Sequence, residues 1–434
     1  MRQRLGRSIT RAKFINTALL GRKRPVMEKV IDIIDADLGE DIQPLMKELE
    51  TDTTAARHES LQSILDIYDA RENDEEPTLT KDFHKMYLNF AIETPLPPQM
   101  TALDASQPWM LYWTANSLKM MGQDWLADDV KRKIVDKLFA ISPSGGPFGG
   151  GVGQLSHLAS TYAAINALAL CDNIDGCWDR IDRKQIYKWL LSLKELNGGF
   201  ETCLDVGEVD TRGVYCVLSI ASLLNILTDE LSKGVLNYLQ NCQNYEGGFG
   251  SCPQVDEAHG GYTFCATASL AILKSINQID VERLLEWCSV RQLQEERGFC
   301  GRSNKLVDGC YSFWVGGSAA ILESLGYSEC FNKQALRDYI LCCCQAEEQP
   351  GLRDKPGKHS DFYHTNYCLL GLAITESSYT CAPNDPPHKI KCVPNGQIET
   401  SELTNINPVY GLPIESVKRF INHFESNPSS KKCT

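Results

Sequence analysis

Gly247-Gly-Phe249, followed by the apolar run Phe264-Cys-Ala-Thr-Ala-Ser-Leu270, is one copy of a pattern that recurs along this chain. A Gly-rich turn and the aromatic residue that opens an apolar run return every ~50 residues, a period typical of stacked repeats. The turns are Gly145-Gly-Pro-Phe148, Gly198-Gly-Phe200, Gly247-Gly-Phe249, Arg297-Gly-Phe299 and a divergent Pro350-Gly-Leu352. The opening aromatics are Tyr162, Tyr215, Phe264, Phe313 and Tyr367.

Each unit predicts two helices, one before the Gly turn and one after it. The second helix carries few charges on any face, which is typical of a buried helix. Units of this length cannot bury their own apolar faces and must stack on their neighbours. With a sixth helix pair near residues 109–138, the units predict an all-α fold, an α/α toroid or six-hairpin α-α barrel with the second helices inside. Periodicity alone leaves an open solenoid as the alternative.

The composition is that of a folded protein without a nucleic-acid partner. Hydrophobic residues make up 43% and charged residues 23% of 434 positions, which excludes a disordered or fibrous chain. A net charge of −13 argues against a general binder of nucleic acid or anionic membranes. No apolar run reaches the ~18 residues of a transmembrane segment. The 18 Cys show no regular framework, so we expect reduced thiols and a cytoplasmic location.

The sequence divides into four parts. Residues 1–27 are basic and lack acidic residues, which predicts a disordered tail; a transit signal or a true start at Met27 are the alternatives. Residues 28–80 indicate peripheral amino-terminal helices and an acidic linker. The barrel is expected over residues 81–375, and residues 376–434 are expected to form a C-terminal loop and a closing helix.

Superposing the repeats on their opening aromatics brings distant side chains together. Three residues before the aromatic stand Ala159, Arg212, Gly261, Cys310 and His364, and five residues before it stand His157, Asp210, His259, Asp308 and Phe362. In a ring of parallel inner helices, Cys310 and His364 become neighbours, with Asp308 beside them. These three side chains suit Zn²⁺, and three protein ligands leave a fourth position open, as in catalytic zinc sites. A buried thiol beside an ordinary His is the alternative.

A second group at the same helix ends is basic. Helix amino termini favour anions, and Arg and Lys side chains bind phosphate oxygens. The group therefore predicts a diphosphate site, with ion pairs to nearby acidic residues as the alternative. Its members are Arg212, His259, Arg302, Lys305 and the hydroxyl of Tyr311.

A third group is aromatic and is predicted to line an apolar funnel inside the ring. Such a cavity below a cationic rim would suit a long apolar chain with an anionic head, whereas ordinary core packing is the alternative. The members are Trp109, Tyr112, Trp113, Tyr215, Tyr262, Trp314 and Tyr363.

Four stretches are more specific than the repeat itself. They are Leu306-Val-Asp-Gly-Cys-Tyr-Ser-Phe-Trp314, Glu257-Ala-His-Gly-Gly-Tyr-Thr-Phe-Cys265, Asp354-Lys-Pro-Gly-Lys358 and Asp361-Phe-Tyr-His364. In them the chain resembles the beta subunits of the protein prenyltransferase family, its farnesyl-transferring members above all. The resemblance runs from about residue 105 to residue 373 and implies an α/α barrel of prenyltransferase repeats.

The resemblance implies a role for each group of residues. It assigns zinc to Asp308, Cys310 and His364, and magnesium to Asp354. The catalytic residues beside the diphosphate would be His259, Arg302, Lys305 and Tyr311. The whole farnesyl diphosphate site would comprise Arg212, Tyr215, His259, Gly261, Tyr262, Cys265, Arg302, Lys305, Tyr311 and Trp314. Peptide binding and chain-length selection would fall to Trp109, Trp113 and Tyr363.

The implied activity is transfer of farnesyl from farnesyl diphosphate to the Cys thiol of C-terminal Cys-a-a-X motifs, through a zinc-bound thiolate. The chain would act in an obligate heterodimer with an alpha subunit, on proteins such as small GTPases. Trp109 stands where farnesyl enzymes carry a bulky residue and geranylgeranyl enzymes a small one, so it favours farnesyl. Ala159-Ser160 replaces the usual Ala-Pro and leaves the preference for the X residue open. The alternatives are a geranylgeranyltransferase beta subunit and a non-enzymatic helical-repeat scaffold that binds peptides.

Overall fold

The computed structural model describes residues 51–71, 76–95, 97–396 and 403–426. Within these residues it contains fifteen α-helices and three two-stranded antiparallel pairs, so the predicted all-α class is confirmed. The helices are α1 Asp52–Ala70, α2 Lys81–Glu93, α3 Gln107–Met121, α4 Asp128–Ile141, α5 Leu158–Leu170, α6 Arg183–Ser192, α7 Thr211–Leu223, α8 Asp229–Ser232, α9 Val235–Gln240, α10 Gly260–Ile272, α11 Val281–Ser289, α12 Tyr311–Ser324, α13 Lys333–Tyr339, α14 Phe362–Thr375 and α15 Ile414–Ser426. The paired strands are β1 Gln345–Ala346 with β2 Gln349–Leu352, β3 Ser377–Thr380 with β4 Lys391–Pro394, and β5 Ile406–Asn407 with β6 Leu412–Pro413.

The chain divides into two compact units, residues 1–56 and 57–434. Of the first unit only residues 51–56 are described, so the predicted tail at 1–27 lies outside the described residues. All contacts below belong to the second unit. The boundaries predicted at residues 80 and 375 stay a prediction.

Six helices form a closed inner ring. Each packs against the next, in the order α3, α5, α7, α10, α12 and α14, and α14 packs back against α3. This closure decides between the two architectures that periodicity left open, in favour of the toroid. The inner helices are buried almost throughout, because their small and apolar residues face neighbours on both sides and the ring interior. No helix in the described ranges has the length and apolar composition needed to cross a bilayer.

The outer helices precede their inner partners along the chain. Helix α4 packs on α5, α9 on α10, α11 on α12 and α13 on α14. The sixth pair differs from the expectation near residues 109–138. Helix α2 is the outer partner of α3. Helix α4 instead packs on the next inner helix, α5, because α4 lies between α3 and the first Gly turn in the chain.

Backbone hydrogen bonds join successive units at the amino-terminal ends of the inner helices. First-turn N–H groups have no partner inside their own helix, and here one of them donates to the loop of the next unit. The loops are thereby held in a ring around this end of the barrel. The pairs are Gln107 N–H to Gly150 O (3.0 Å), Leu158 to Thr202 (2.8 Å), Thr211 to Ser251 (2.8 Å), Gly260 to Gly301 (2.8 Å) and Gly309 to Asp354 (2.7 Å).

The segment that contains β5 and β6 closes the other end of the ring. The hydroxyl of Tyr112 donates to the carbonyl of Gly411 at 3.2 Å, and that of Tyr215 to the carbonyl of Val409 at 2.8 Å. Helix α15 follows and packs on α5 and α7. Only the amino-terminal end of the inner ring is therefore left for a site built from the repeat positions.

Candidate active site

Each inner helix from α5 onward is preceded by an Asp or His side chain that accepts a hydrogen bond from a backbone N–H in the first turn or, for α12, from Cys310 just before it. Asp and His at this position satisfy N–H groups that would otherwise lack a partner. The acceptors are His157 for Ala159 N–H (3.1 Å), Asp210 for Arg212 (2.8 Å), His259 for Gly261 (3.0 Å), Asp308 for Cys310 (2.9 Å) and Asp361 for His364 (2.7 Å).

Asp361 differs from the residue that the superposed repeats predicted at this position. The sequence alignment placed Phe362 at the fifth position, but Asp361 caps the helix, and the Phe362 side chain is buried. One extra residue between this cap and Tyr367 shifted the alignment. The Asp361-Phe-Tyr-His364 stretch contained the signal, since an Asp three residues before a ligand can both cap the helix and orient the ligand.

Asp308, Cys310 and His364, which the sequence predicted to ligate a metal, lie together as a group that could hold a metal ion. Their ligand atoms all lie within 4.8 Å of one another, and no other group of this kind occurs in the described ranges. Nε2 of His364 lies 3.3 Å from Oδ1 of Asp308. A carboxylate, a thiol and an imidazole at this spacing fit a zinc-type ion with one position left for a further ligand.

Asp361 orients the histidine of this group, a role that the sequence analysis did not assign. Its Oδ2 lies 2.7 Å from Nδ1 of His364, which fixes Nδ1 as the protonated nitrogen and directs Nε2 toward Asp308. A carboxylate behind a metal-ligating His is a common outer partner in zinc sites.

The pKa of His364 and the pKa of Cys310 are both raised in this group. Burial acts to lower the pKa of His364, but hydrogen bonds to Asp308 and Asp361 and their charges raise it to about 10. Burial and the neighbouring Asp308 raise the pKa of the Cys310 thiol well above its usual range. A divalent cation would offset the Asp308 charge and replace the proton of the Cys310 thiol and the proton on Nε2 of His364.

The predicted diphosphate residues His259 and Tyr311 are in direct contact. Tyr311 Oη lies 3.0 Å from His259 Nε2. Because Nδ1 of His259 accepts from Gly261, the neutral ring carries its proton on Nε2 and donates to Tyr311. Burial and the nearby Arg302 lower the pKa of His259, which keeps the ring neutral. The hydroxyl proton of Tyr311 is then directed away from His259.

The two arginines of this group are held in ion pairs with acidic residues, as the alternative interpretation expected. Arg302 lies 2.5 Å from Glu257. Arg212 contacts Asp210 at 2.5 Å and Glu208 at 2.9 Å, and it lies over the ring of Tyr262. Lys305 is exposed on the same loop as Arg302.

A band of aromatic rings runs across the inner helices beside the metal-ligating group. Trp109 contacts Trp113 at 5.3 Å between ring centroids, and Trp113 contacts Tyr363 at 5.6 Å. Nε1 of Trp314 donates to the hydroxyl of Tyr363 at 2.9 Å. These four side chains are half-buried. The band thus brings together residues predicted for the peptide and for the isoprenoid.

Two opening aromatics extend the band, although the sequence analysis used them only to define the repeat. Tyr162 lies 5.6 Å from Trp109, and Tyr367 lies 4.3 Å from Trp314, between ring centroids. Tyr215 and Cys265 are buried deeper in the ring. The hydroxyl of Tyr215 faces the closing segment, so this residue contributes an apolar wall.

Asp354 lies next to the metal-ligating group through its backbone. Its carbonyl accepts from Gly309 N–H at 2.7 Å, and its Oδ2 lies 2.6 Å from Nζ of Lys355. The other carboxylate oxygen, Oδ1, is buried and has no hydrogen-bond partner within the part of the chain that the structure describes.

Comparisons with known proteins agree with this geometry. The model of the prenyltransferase alpha-alpha toroid domain matches residues 79–412. The protein farnesyltransferase subunit beta of Saccharomyces cerevisiae is 79% identical over 430 residues, which cover 99% of this chain and 100% of the relative. The same subunit of Schizosaccharomyces pombe is 39% identical over 391 residues, which cover 88% of this chain and 99% of the relative.

A solved structure supports the fold. The Candida albicans protein geranylgeranyltransferase-I complexed with GGPP matches with a TM-score of 0.63 and 22% identity, over 79% of this chain and 98% of that chain. At this identity the likeness concerns the toroid alone. The match of the domain model and the near full-length identity lead to one conclusion: the chain belongs to the prenyltransferase α/α toroid family and, within it, to the beta subunits of protein farnesyltransferase.

Proposed function

We propose that this subunit transfers farnesyl from farnesyl diphosphate to the thiol of a protein ending in Cys-a-a-X. One observation carries the proposal: the group Asp308, Cys310 and His364 lies at the same end of the ring as the His259–Tyr311 pair. A thiol held at the first and a diphosphate held at the second would place the two reacting groups together. The aromatic band offers the apolar surface that the isoprenoid needs.

Zinc is the cation that these donors favour. Asp308, Cys310 and His364 would hold it, with Asp361 fixing the imidazole. When bound there, Zn²⁺ supplies a Lewis acid that lowers the pKa of the substrate thiol, so that thiolate forms at neutral pH. Cys310 is a ligand in this scheme and not the nucleophile.

The residues on the diphosphate side stabilise the leaving group. As the substrate sulfur bonds to C1 of the farnesyl chain, the bond from C1 to oxygen breaks and negative charge grows on the diphosphate. Tyr311 donates its hydroxyl proton to that charge, with His259 holding the ring in place. Arg302 and Lys305 supply positive charge; Arg302 must exchange Glu257 for the diphosphate.

Asp354 is proposed to bind Mg²⁺ together with the diphosphate. Its buried and unpartnered Oδ1 supports this role, and Mg²⁺ commonly binds through one or two carboxylates and substrate phosphates. Nζ of Lys355 competes for the carboxylate, since it lies 2.6 Å from Oδ2.

Trp109 is proposed to set the chain length of the donor. Its ring packs against those of Trp113 and Tyr162, so it occupies volume inside the aromatic band that a longer isoprenoid would need. Membership among farnesyltransferase beta subunits supports the same choice. A geranylgeranyl donor is the outcome that would overturn it.

The family name implies an alpha-subunit partner, and we propose an obligate heterodimer at work in the cytoplasm. The described cysteines are free thiols, which suits a reducing compartment. The test is to co-express the chain with an alpha subunit and compare farnesyl with geranylgeranyl transfer to one Cys-a-a-X peptide. Farnesyl preference supports the proposal. Geranylgeranyl preference would point to the sister enzyme, and peptide binding without transfer to a scaffold.

A further inference from the structure

We infer that Glu246 is a positioning residue for the diphosphate site, holding its two loops in register; this inference rests on the proposed function. One loop contains Glu257, Ala258 and His259, and the other contains Arg302 and Ser303. Glu246 belongs to neither loop, because it precedes the Gly turn of the third unit.

The Glu246 carboxylate links the two loops through its two oxygens. Oε1 accepts from the backbone N–H of Ala258 at 3.0 Å, directly before His259. Oε2 accepts from the hydroxyl of Ser303 at 3.3 Å, directly after Arg302. One side chain therefore fixes the residues adjacent to both predicted diphosphate ligands.

Ser303 is held from a second side. Nη1 of Arg291 donates to its Oγ at 3.2 Å, so the hydroxyl accepts from Arg291 and donates to Glu246. Arg291 is buried, so the exposed hydroxyl of Ser303 is held by a side chain that is itself fixed in the protein. The Ser303 side of the link thus rests on a fixed group, and the Ala258 side on the backbone.

The backbone hydrogen bond from Gly260 N–H to the carbonyl of Gly301 at 2.8 Å also joins the loops, whereas their other side-chain contacts involve groups that must engage the substrate. The Arg302–Glu257 ion pair has to open when Arg302 turns to the diphosphate, and Tyr311 faces the substrate with its free proton. Glu246 makes no such exchange. Together with the Gly260–Gly301 backbone bond, it can therefore keep His259 and Arg302 at a constant separation while Arg302 changes partner.

The repeat supplies a matched control. Glu296 stands at the same position of the next unit, one residue before Arg297-Gly-Phe299, and accepts from Nε of Arg57 at 3.0 Å. The hydrogen bonds of Glu296 go to Arg57 and Tyr68 and involve neither diphosphate loop. Glu296 is more deeply buried than the half-buried Glu246, and its removal tests the loss of a carboxylate from this position of the turn away from both diphosphate loops.

The experiment uses the zinc-loaded heterodimer and compares Glu246→Ala, Glu246→Gln and Glu296→Ala. We expect Glu246→Ala to slow single-turnover farnesyl transfer or raise the Kd for farnesyl diphosphate by about 10- to 100-fold, the loss expected from a displacement near 1 Å. Zinc content and the KM for the peptide should stay unchanged. Glu246→Gln should stay within about threefold, because its amide can accept from Ala258 and donate to Ser303.

Three results would overturn the inference: Glu246→Ala behaving like the parent enzyme, Glu246→Gln losing as much as Glu246→Ala, or Glu296→Ala giving the same loss. A loss in Glu246→Gln as large as that in Glu246→Ala would mean that the negative charge of Glu246 matters, and not its hydrogen bonds to the two loops. Failure of the proposed function itself is distinguishable, since the parent heterodimer would then show no farnesyl transfer at all.

Discussion

Nε2 of His364 lies 3.3 Å from Oδ1 of Asp308, although 56 residues separate them in the chain. The repeat produces this contact. Asp308 precedes inner helix α12 and His364 lies in the first turn of the adjacent inner helix α14, so the packing of successive inner helices brings their amino-terminal ends together. Cys310 completes the group because Asp308 caps its backbone N–H.

The first prediction concerns Asp361. Asp361→Asn should weaken zinc binding about 10- to 100-fold, because the amide gives His364 a weaker acceptor than the carboxylate does. Zinc affinity is measured by competition with a chelator. Asp182→Asn is the control, since Asp182 also caps a helix, but that helix is α6, which lies outside the inner ring. Equal affinities for Asp361→Asn and the parent protein would remove the orienting role.

The second prediction concerns Trp109. Trp109→Thr should raise the ratio of geranylgeranyl to farnesyl transfer, because it empties volume beside Trp113 and Tyr162. Both donors are compared in one preparation with the same peptide. Trp189→Thr on the outer helix α6 serves as the control. A donor ratio that does not move would show that another residue limits chain length.

The third prediction follows from the lowered pKa of His259. Burial depresses this pKa in the folded protein below the ordinary 6.5, so below that value the unfolded chain binds the proton first. The His259 contribution to stability is thus complete above pH 6.5 and is lost as pH falls through the folded-state pKa.

The corresponding measurement is the thermal midpoint of the heterodimer at pH 7.5 and pH 5.5, values taken about one unit either side of the ordinary His pKa. His259→Asn keeps an acceptor for Gly261 N–H but cannot titrate. The variant should lose less of its midpoint on acidification than the parent does. Identical losses would mean that His259 does not titrate in this range.

The fourth prediction concerns Lys355. Lys355→Met should lower the Mg²⁺ concentration that gives half-maximal transfer, because it removes the ammonium group 2.6 Å from Asp354. Lys333→Met is the control, since Lys333 is a buried lysine paired with Glu323 and Glu329 away from the site. An unchanged Mg²⁺ dependence in Lys355→Met would exclude competition at this carboxylate.

The repeat made the barrel and the grouping of Cys310 with His364 predictable from the sequence. Because the opening aromatics are evenly spaced, one alignment placed Cys310 beside His364 and the barrel followed from five copies of one hairpin. The role of Asp361 was not predicted, because one inserted residue shifts the last repeat by one position relative to the others. The ion pairs of Arg212 and Arg302, and the link through Glu246, depend on loop conformations that no periodicity specifies.

Farnesyl transfer is proposed to depend on one zinc ion held by Asp308, Cys310 and His364. The most direct test is to count zinc per heterodimer in the parent protein, in His364→Ala and in Cys288→Ala, a buried thiol on outer helix α11 that serves as the control. We predict about one zinc in the parent and the control, and loss of zinc together with farnesyl transfer in His364→Ala. Full transfer by a zinc-free His364→Ala protein would contradict the account.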